Sequence, residues 1–309
     1  MRLTNDFVRV KVPATSANLG PGFDHAGLAL GIFDEVELRA VVGETFVQVM
    51  GHGAGKVPEG EDNLIVRSVR KGLEYLDMPQ VGLRMVARNR IPHGAGMGSS
   101  AAAAVAGLML ARGLVGEESM SLGEVFQLAT QIEGHPDNAA PAIFGGVTFS
   151  WMGKEAKTVV RPPREDLDAW VLTPKFEVST KRARAALPKQ VPLEDATFNL
   201  SRASLLALIL SGQAPLEHLM DATEDRLHQA QRAKAMPSTY DLVQYLRGEG
   251  LPAVVSGAGP SVLVFGTLDP QLVDEAKAAG WTVKNPGITA AGASMEASRE
   301  GGESPIAGL

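Results

Sequence analysis

Apolar residues alternate with basic ones in FVRVKV at 7–12, the two-residue period of a half-exposed strand. Strand character returns in FDEVELRAVV (33–42), FVQVM (46–50) and VGLRMVARN (81–89). Between the last two, NLIVRSVRKGLEYL (63–76) changes to a helical period, with Leu64, Val69, Leu73 and Leu76 as the expected core face. A second helix is expected over 99–112, where alanines follow a glycine-rich loop. A third is expected over 121–133, where Ser121 precedes Glu124 in capping-box spacing. After GGVTFSWM (145–152), the polar, proline-marked GKEAKTVVRPPRED predicts a domain boundary near residue 155. Beyond it the pattern shows a strand at AWVLTP, then helices near 180–187, 201–210 and 238–249. Strands at PAVVSG and SVLVFG, a helix over 269–279 and a strand at WTVKN follow. The small, polar C-terminal end is expected to fray after one short strand. Strands and helices mix without a regular βαβ alternation, which predicts an α+β fold rather than a doubly wound sheet.

At 309 residues the chain suffices for one large domain or two ordinary ones. Its 45% hydrophobic and 21% charged residues match a soluble globular protein. A net charge of −6 without a basic block argues against nucleic acid, while local basic residues still suit a small anionic ligand. The chain has no cysteine, which excludes disulfides, thiolate metal sites and cysteine nucleophiles and fits a reducing cytoplasm. The N-terminal segment lacks the apolar core of a signal peptide, and the longest apolar run, 101–111, is too short for a bilayer. A cytoplasmic chain with no membrane partner is expected.

Candidate chemistry gathers in four stretches. In IPHGAGMGSSAAAA (91–104), Gly94, Gly96 and Gly98 permit backbone angles and close approaches that a side chain would block. The helix that follows presents unpaired N–H groups and a positive dipole end, a site for a polyphosphate. A tight turn packed with small residues accounts for the same pattern. A P-loop is excluded because no lysine follows these glycines; in GHGAGKV, Met50 and Val57 stand where that motif needs glycine and a hydroxyl. A dinucleotide fingerprint would need glycine in place of Ser99. In VPATSANLGPGFDHAGLAL, Pro13, Gly20, Pro21 and Gly22 predict an irregular path carrying Thr15, Ser16, Asn18, Asp24 and His25. Asp24 there suits a ligand ammonium, although Asn and Asp also simply stabilise turns. In IEGHPDNAAPAIFGG, Glu133 suits Mg²⁺, which takes one or two carboxylates together with phosphate oxygens and water. Helix termination and capping account equally for His135, Asp137 and Asn138. VVSGAGPSVLVFG (254–266) reads as two apolar strands about a glycine turn. Among Arg182, Arg184, Arg226 and Arg232, two converging on one carboxylate would grip it in bidentate fashion. No G-x-S-x-G elbow occurs.

In order, VPATSANLGPGFD, IPHGAGMGSSAAAA and VVSGAGPSVLVFG resemble the three motifs of the GHMP superfamily of small-molecule kinases, over nearly the whole chain. PATSANLGPGFD and EGHPDNAAPA resemble most nearly its homoserine kinase branch; mevalonate- and galactose-type members usually carry a lysine or arginine where Ala14, Thr15 and Ser16 stand. The resemblance implies an N-terminal mixed-sheet nucleotide-binding domain over 1–155 and a C-terminal ferredoxin-like α/β sandwich over 156–309. It implies phosphorylation of L-homoserine by ATP with Mg²⁺, a step of threonine biosynthesis. By resemblance the loop of Pro92, His93, Gly94, Ala95, Gly96, Met97, Gly98, Ser99, Ser100, Ala101 and Ala102 wraps the phosphates, and Asn63 and Leu64 line the adenine pocket. Met97 stands where leucine is commoner, at similar volume. Ser100, with Ser99 as the alternative, and Glu133 hold Mg²⁺. Asn18, Asp24, His135 and Asn138 surround the amino acid, Arg184 and Arg232 clamp its carboxylate, and Thr180 sits near the transferred phosphate. Asn138 orients the hydroxyl; Asp137, where mevalonate-type relatives place a catalytic aspartate, is the second candidate. Two other readings stay open: a GHMP kinase for a different small alcohol, and a non-catalytic relative that binds a metabolite. Retention of Ser100 and Glu133 counts against the latter. The oligomeric state, a homodimer included, is left open.

Overall fold

In the computed structural model, which describes residues 3–299, the alternation at 7–12 opens a strand that does not stop there. β1 (Phe7–Asn18) is buried on alternate positions as far as Lys11 and then on every position from Val12 to Asn18. A strand covered on both faces has no two-residue period to detect, which is why the alternation ends at Val12. β2 (Gly22–Val41) pairs antiparallel with it, from Phe7 opposite Arg39 to Asn18 opposite Gly22, with irregularities after Pro13 and Ala17. The expected irregular path is thus corrected to two strand ends joined by a turn at 19–21. That change puts Thr15, Ser16, Asn18, Asp24 and His25 on rigid backbone.

The remaining strands are β3 (Phe46–Gly51), β4 (Gly82–Asn89), β5 (Val147–Met152), β6 (Ala156–Arg161), β7 (Ala169–Thr173), β8 (Ala253–Val255), β9 (Val262–Phe265), β10 (Thr282–Lys284) and β11 (Ser294–Ser298). The larger sheet has the order β11-β1-β2-β4-β3, with β5 paired to β2 and β6 to β5. β3 and β4 run parallel, joined by α1 (Leu64–Tyr75) as their crossover. The smaller sheet is antiparallel, in the order β10-β7-β9-β8. The proline-marked stretch near 155 contains β6, so a boundary there falls inside the β5–β6 hairpin. The chain passes to the smaller sheet after Arg161 and returns to the larger one at Ile288, which bridges Leu30, and then at β11, which pairs with β1.

α2 (Ser99–Val115) is buried almost all round, from Ala101 to Leu114, as an alanine-rich helix between a sheet and other helices should be. α1 and α3 (Leu122–Glu133) flank it, and α4 (Ala139–Phe144) packs between α3 and β1. The capping box at Ser121 and Glu124 forms as expected. The C-terminal half also carries α5 (Thr180–Ala185), α6 (Leu193–Leu210), α7 (Leu219–Ala222), α8 (Gln229–Arg232), α9 (Pro237–Gly248) and α10 (Pro270–Ala278). α6 starts well before the expected 201, because its first half leaves Leu193 and Leu200 exposed and shows no apolar stripe; Glu194 and Asp195 in its first turn favour the early start. One core fills the space between the larger sheet and α1–α4 and continues through α6 and α7 to Val171, Leu263 and Phe265 on one face of the smaller sheet; a second lies between the other face of that sheet, α9 and α10.

Candidate active site

The glycine loop is anchored before it begins to turn. Asp34, buried in β2, accepts hydrogen bonds from the amides of Arg90 (2.6 Å) and Ile91 (2.9 Å). Burial pushes its carboxyl up to about 6, although those two amides pull the other way. Gly94, Gly96 and Gly98 then adopt φ of 60°, 75° and 67°. A Cβ on Gly98 would lie 1.8 Å from Thr15 Oγ1, and one on Gly96 would lie 2.3 Å from the Ser256 carbonyl oxygen. Close packing therefore accounts for both glycines. The anion reading also stands, because Gly98 caps α2 with no side-chain hydrogen bond among the described residues. First-turn N–H groups are left facing the cavities on either side.

Two cavities meet at that helix end. One, of about 270 Å³, is largely apolar and touches Val36, Val49, Pro58, Asn63 and Leu64. Asn63 caps α1, accepting from Ile65 N at 2.9 Å and donating to Pro58 O at 2.8 Å. The other, of about 410 Å³, is polar and holds Asn18, Asp24, Glu133, His135, Asn138, Arg184 and Arg232. Ser99 and Ser100 line both. Of the loop residues, Gly94, Gly96 and Gly98 face the polar cavity, while His93 and Ala102 face the apolar one. Pro92, Ala95 and Met97 line a third cavity behind the loop, of about 510 Å³, bordered by Lys56, Lys175 and Lys284. None of the expected substrate residues reaches that larger space. Ala101 is fully buried.

Within the polar cavity Ser100 Oγ donates to Glu133 Oε1 at 2.6 Å. Burial holds the Glu133 carboxyl above its usual range, with the Ser100 bond opposing. One carboxylate and one hydroxyl beside an open helix end fit a magnesium ion that keeps water and phosphate oxygens as its other ligands. Thr15 Oγ1 donates to Asn138 Oδ1 at 2.8 Å, and Asn138 Nδ2 donates to Asp137 Oδ1 at 3.3 Å. That aspartate oxygen also faces His135 Nδ1 at 2.5 Å. Burial opposes the charged imidazole, but Asp137 outweighs it and raises the His135 pKa. Asn138 is thereby locked in one orientation, with one amide hydrogen left over.

At the far end Arg184, from α5, donates to both oxygens of Asp24, at 2.6 and 3.0 Å. Arg232, from α8, is 1% exposed. Its Nη1 donates to the Gly257 carbonyl at 3.2 Å and lies 3.1 Å from His228 Nδ1. His228 Nε2 lies 2.7 Å from the Gly20 carbonyl. A carbonyl only accepts, so the proton is on Nε2 and Nδ1 is free to accept from Arg232. Asn18 Nδ2 donates to the same Gly257 oxygen at 2.8 Å. Arg184 and Arg232 both lie against the Phe23 ring, 5.6 and 5.4 Å from its centroid.

The structure brings Asn18, Asp24, His135, Asn138, Arg184 and Arg232 to one cavity, although they come from both halves of the chain. Thr180 opens α5, and its side chain lies outside the described residues. Arg226 instead stacks on Phe198 at 3.8 Å, and His25 faces the Ser150 carbonyl. Phe23, His228 and Gly257 escaped the sequence reading. Phe23 adjoins Asp24 and His228 lies one helical turn before Arg232, a spacing that could have singled out the pair; a backbone carbonyl leaves no sequence signal.

Residues 63–146 match the model of the GHMP kinases N terminal domain, and residues 205–280 that of the GHMP kinases C terminal domain. A homoserine kinase of Clavibacter michiganensis subsp. michiganensis is 47% identical over 95% of each chain. One of Streptomyces coelicolor is 45% identical over 93% of this chain and 94% of its own. The crystal structure of homoserine kinase from Cytophaga hutchinsonii superposes with a TM-score of 0.83 at 27% identity, covering 96% of this chain and 99% of that one.

Proposed function

The chain belongs to the GHMP kinases, alongside the homoserine kinases, and we infer that it transfers the γ-phosphoryl group of ATP to the hydroxyl of L-homoserine. The products are ADP and O-phospho-L-homoserine, an intermediate of threonine biosynthesis. One observation carries the assignment of the site: the uncapped end of α2 joins an apolar cavity to a polar one lined by both charges an amino acid requires. In this reading the base lies against Asn63 and Leu64, the phosphates cross the N–H groups of Ser99 and Ser100, and the amino acid fills the polar side. Asp24 takes the ammonium, and Arg184 with Arg232 takes the carboxylate. Ser100 and Glu133 hold Mg²⁺, which when bound neutralises phosphate charge.

Phosphoryl transfer passes through a loose transition state, so orientation and charge neutralisation do most of the work. Asn138 meets the first need, because Thr15 and Asp137 fix its plane and leave one N–H for the substrate hydroxyl. Asp137 is engaged with His135 and Asn138, and its role in this reading is to hold those two side chains. A cysteine-free chain fits reaction in a reducing cytoplasm. Coupled measurement of ADP release with Mg-ATP over homoserine, mevalonate, galactose and shikimate should show turnover with homoserine in preference to the rest. Equal turnover of another alcohol would overturn the substrate assignment.

A further inference from the structure

In this structure the two groups assigned to the amino acid's opposite charges are bonded to each other. Asp24 stands in the left-handed region at φ 54°, at the head of β2. Both its oxygens accept from Arg184, and the pair is about one third exposed, 37% for the arginine and 35% for the aspartate. Arg232 is in the opposite condition. Its Nη1 is taken by His228 and Gly257, and its buried Nε has no partner among the described residues. An orphaned, buried guanidinium nitrogen is costly, and Arg232 lines the cavity that also holds Asp24 and Arg184. Burial, and next the charge of Arg184, lower the Arg232 pKa to about 10. Both cations lie against the Phe23 ring. The end of the cavity thus carries one satisfied ion pair and one arginine whose Nε lacks a partner among the described residues.

We propose that the Arg184–Asp24 ion pair is a placeholder split by a zwitterion: the incoming ammonium takes Asp24, and the incoming carboxylate takes the released Arg184 together with Arg232. This rests on the amino-acid reading of the site and extends it to the mode of selection. A ligand with only an ammonium must pull Asp24 from Arg184 and leave two neighbouring guanidinium groups without an anion. A ligand with only a carboxylate reaches Arg232 but cannot recruit Arg184, which stays on Asp24. A ligand bearing both charges exchanges each partner for an equivalent one, so no charge is stranded. The site therefore selects zwitterions by the cost it imposes on their singly charged analogues.

The test uses homoserine, 4-hydroxybutyrate (no amine) and 3-amino-1-propanol (no carboxylate), with affinities taken from calorimetry and from inhibition of ADP release. Asp24→Asn, which tolerates the left-handed backbone, should weaken homoserine yet tighten 4-hydroxybutyrate about tenfold, because Arg184 is released. Arg184→Gln should weaken homoserine yet tighten 3-amino-1-propanol by about the same factor. These crossed gains are opposite in direction to a general loss of structure. A second measurement needs no variant: in the native protein, saturating acetate should tighten 3-amino-1-propanol several-fold, since each fragment relieves the exchange the other requires. Native turnover of homoserine with no gain for either analogue, and with fragments that bind independently, would overturn the placeholder while leaving the kinase reading intact. Absence of native homoserine binding would overturn both.

Discussion

Asp34 shows how one buried carboxylate can link a site to the stability of the whole chain. It orders the start of the glycine loop through two amides and also borders the apolar cavity. With its pKa raised from 3.8 to about 6, it binds its proton more tightly in the folded chain than in the unfolded one. Its contribution to stability is therefore full below pH 3.8 and is lost as pH rises through about 6. Asp34→Asn keeps an acceptor for the amides and removes the titration. Urea unfolding at about pH 4.5 and pH 7.5 should show a pH-dependent loss smaller by about 2 kcal/mol than in the native chain. An unchanged difference would place the titrating group elsewhere. Asp34 was legible only as part of a strand; its role depends on amides more than fifty positions away. Asp24, Glu133 and Arg184 were named from sequence, but the bond between Asp24 and Arg184 was not, since nothing in either local pattern says which distant charge will face it.

At the scale of elements, the glycine loop and α2 were the most legible, because both signals are local: glycines that free the backbone, then a run of strong helix formers. The reason Gly98 must be glycine was not local. Its φ of 67° and the 1.8 Å approach to Thr15 Oγ1 make Gly98→Ala strained in both backbone and packing. The substitution should cost about 3 kcal/mol or more. Adding Thr15→Ala should recover about 1 kcal/mol of that loss in a double-mutant cycle read by denaturant unfolding. Strict additivity would show that the backbone angle alone sets the cost. The ends of β1 and β2 were misread for the complementary reason. Proline and glycine there signal a bend, and burial on both faces erases the strand period, yet pairing between the two strands holds the segment extended.

For the whole molecule, the chain leaves the larger sheet after Arg161 and comes back as β11, so the halves are not independent beads. β11 covers the edge of β1 over five paired positions, from Phe7 opposite Ser298 to Lys11 opposite Ser294. Met295 packs beneath it against the larger core. Deleting everything from Ala293 onward would bare a strand edge. The deletion should lower the thermal midpoint by roughly 5 °C or more and promote aggregation on heating. Scanning calorimetry with light scattering checks both, and an unchanged midpoint would show that β11 is ornamental. A short strand was expected there, but not its partner: SMEAS is short and polar, and pairs with a strand nearly the whole chain away.

The sequence by itself determined what depends on neighbours a few positions apart. It set the helical and strand periods, the capping box at Ser121, the turning capacity of the glycine loop, and the residue types able to meet phosphate, magnesium and an amino acid. Tertiary structure alone decided which of these meet. It set Thr15 against Gly98 and Asn138, placed His228 behind Arg232, and joined Asp24 to Arg184 across the cavity. The physical reason is range. Backbone angles and periodicity are fixed by contacts within a turn or a strand, whereas the partner of a buried charge is chosen by packing between elements that no local pattern records.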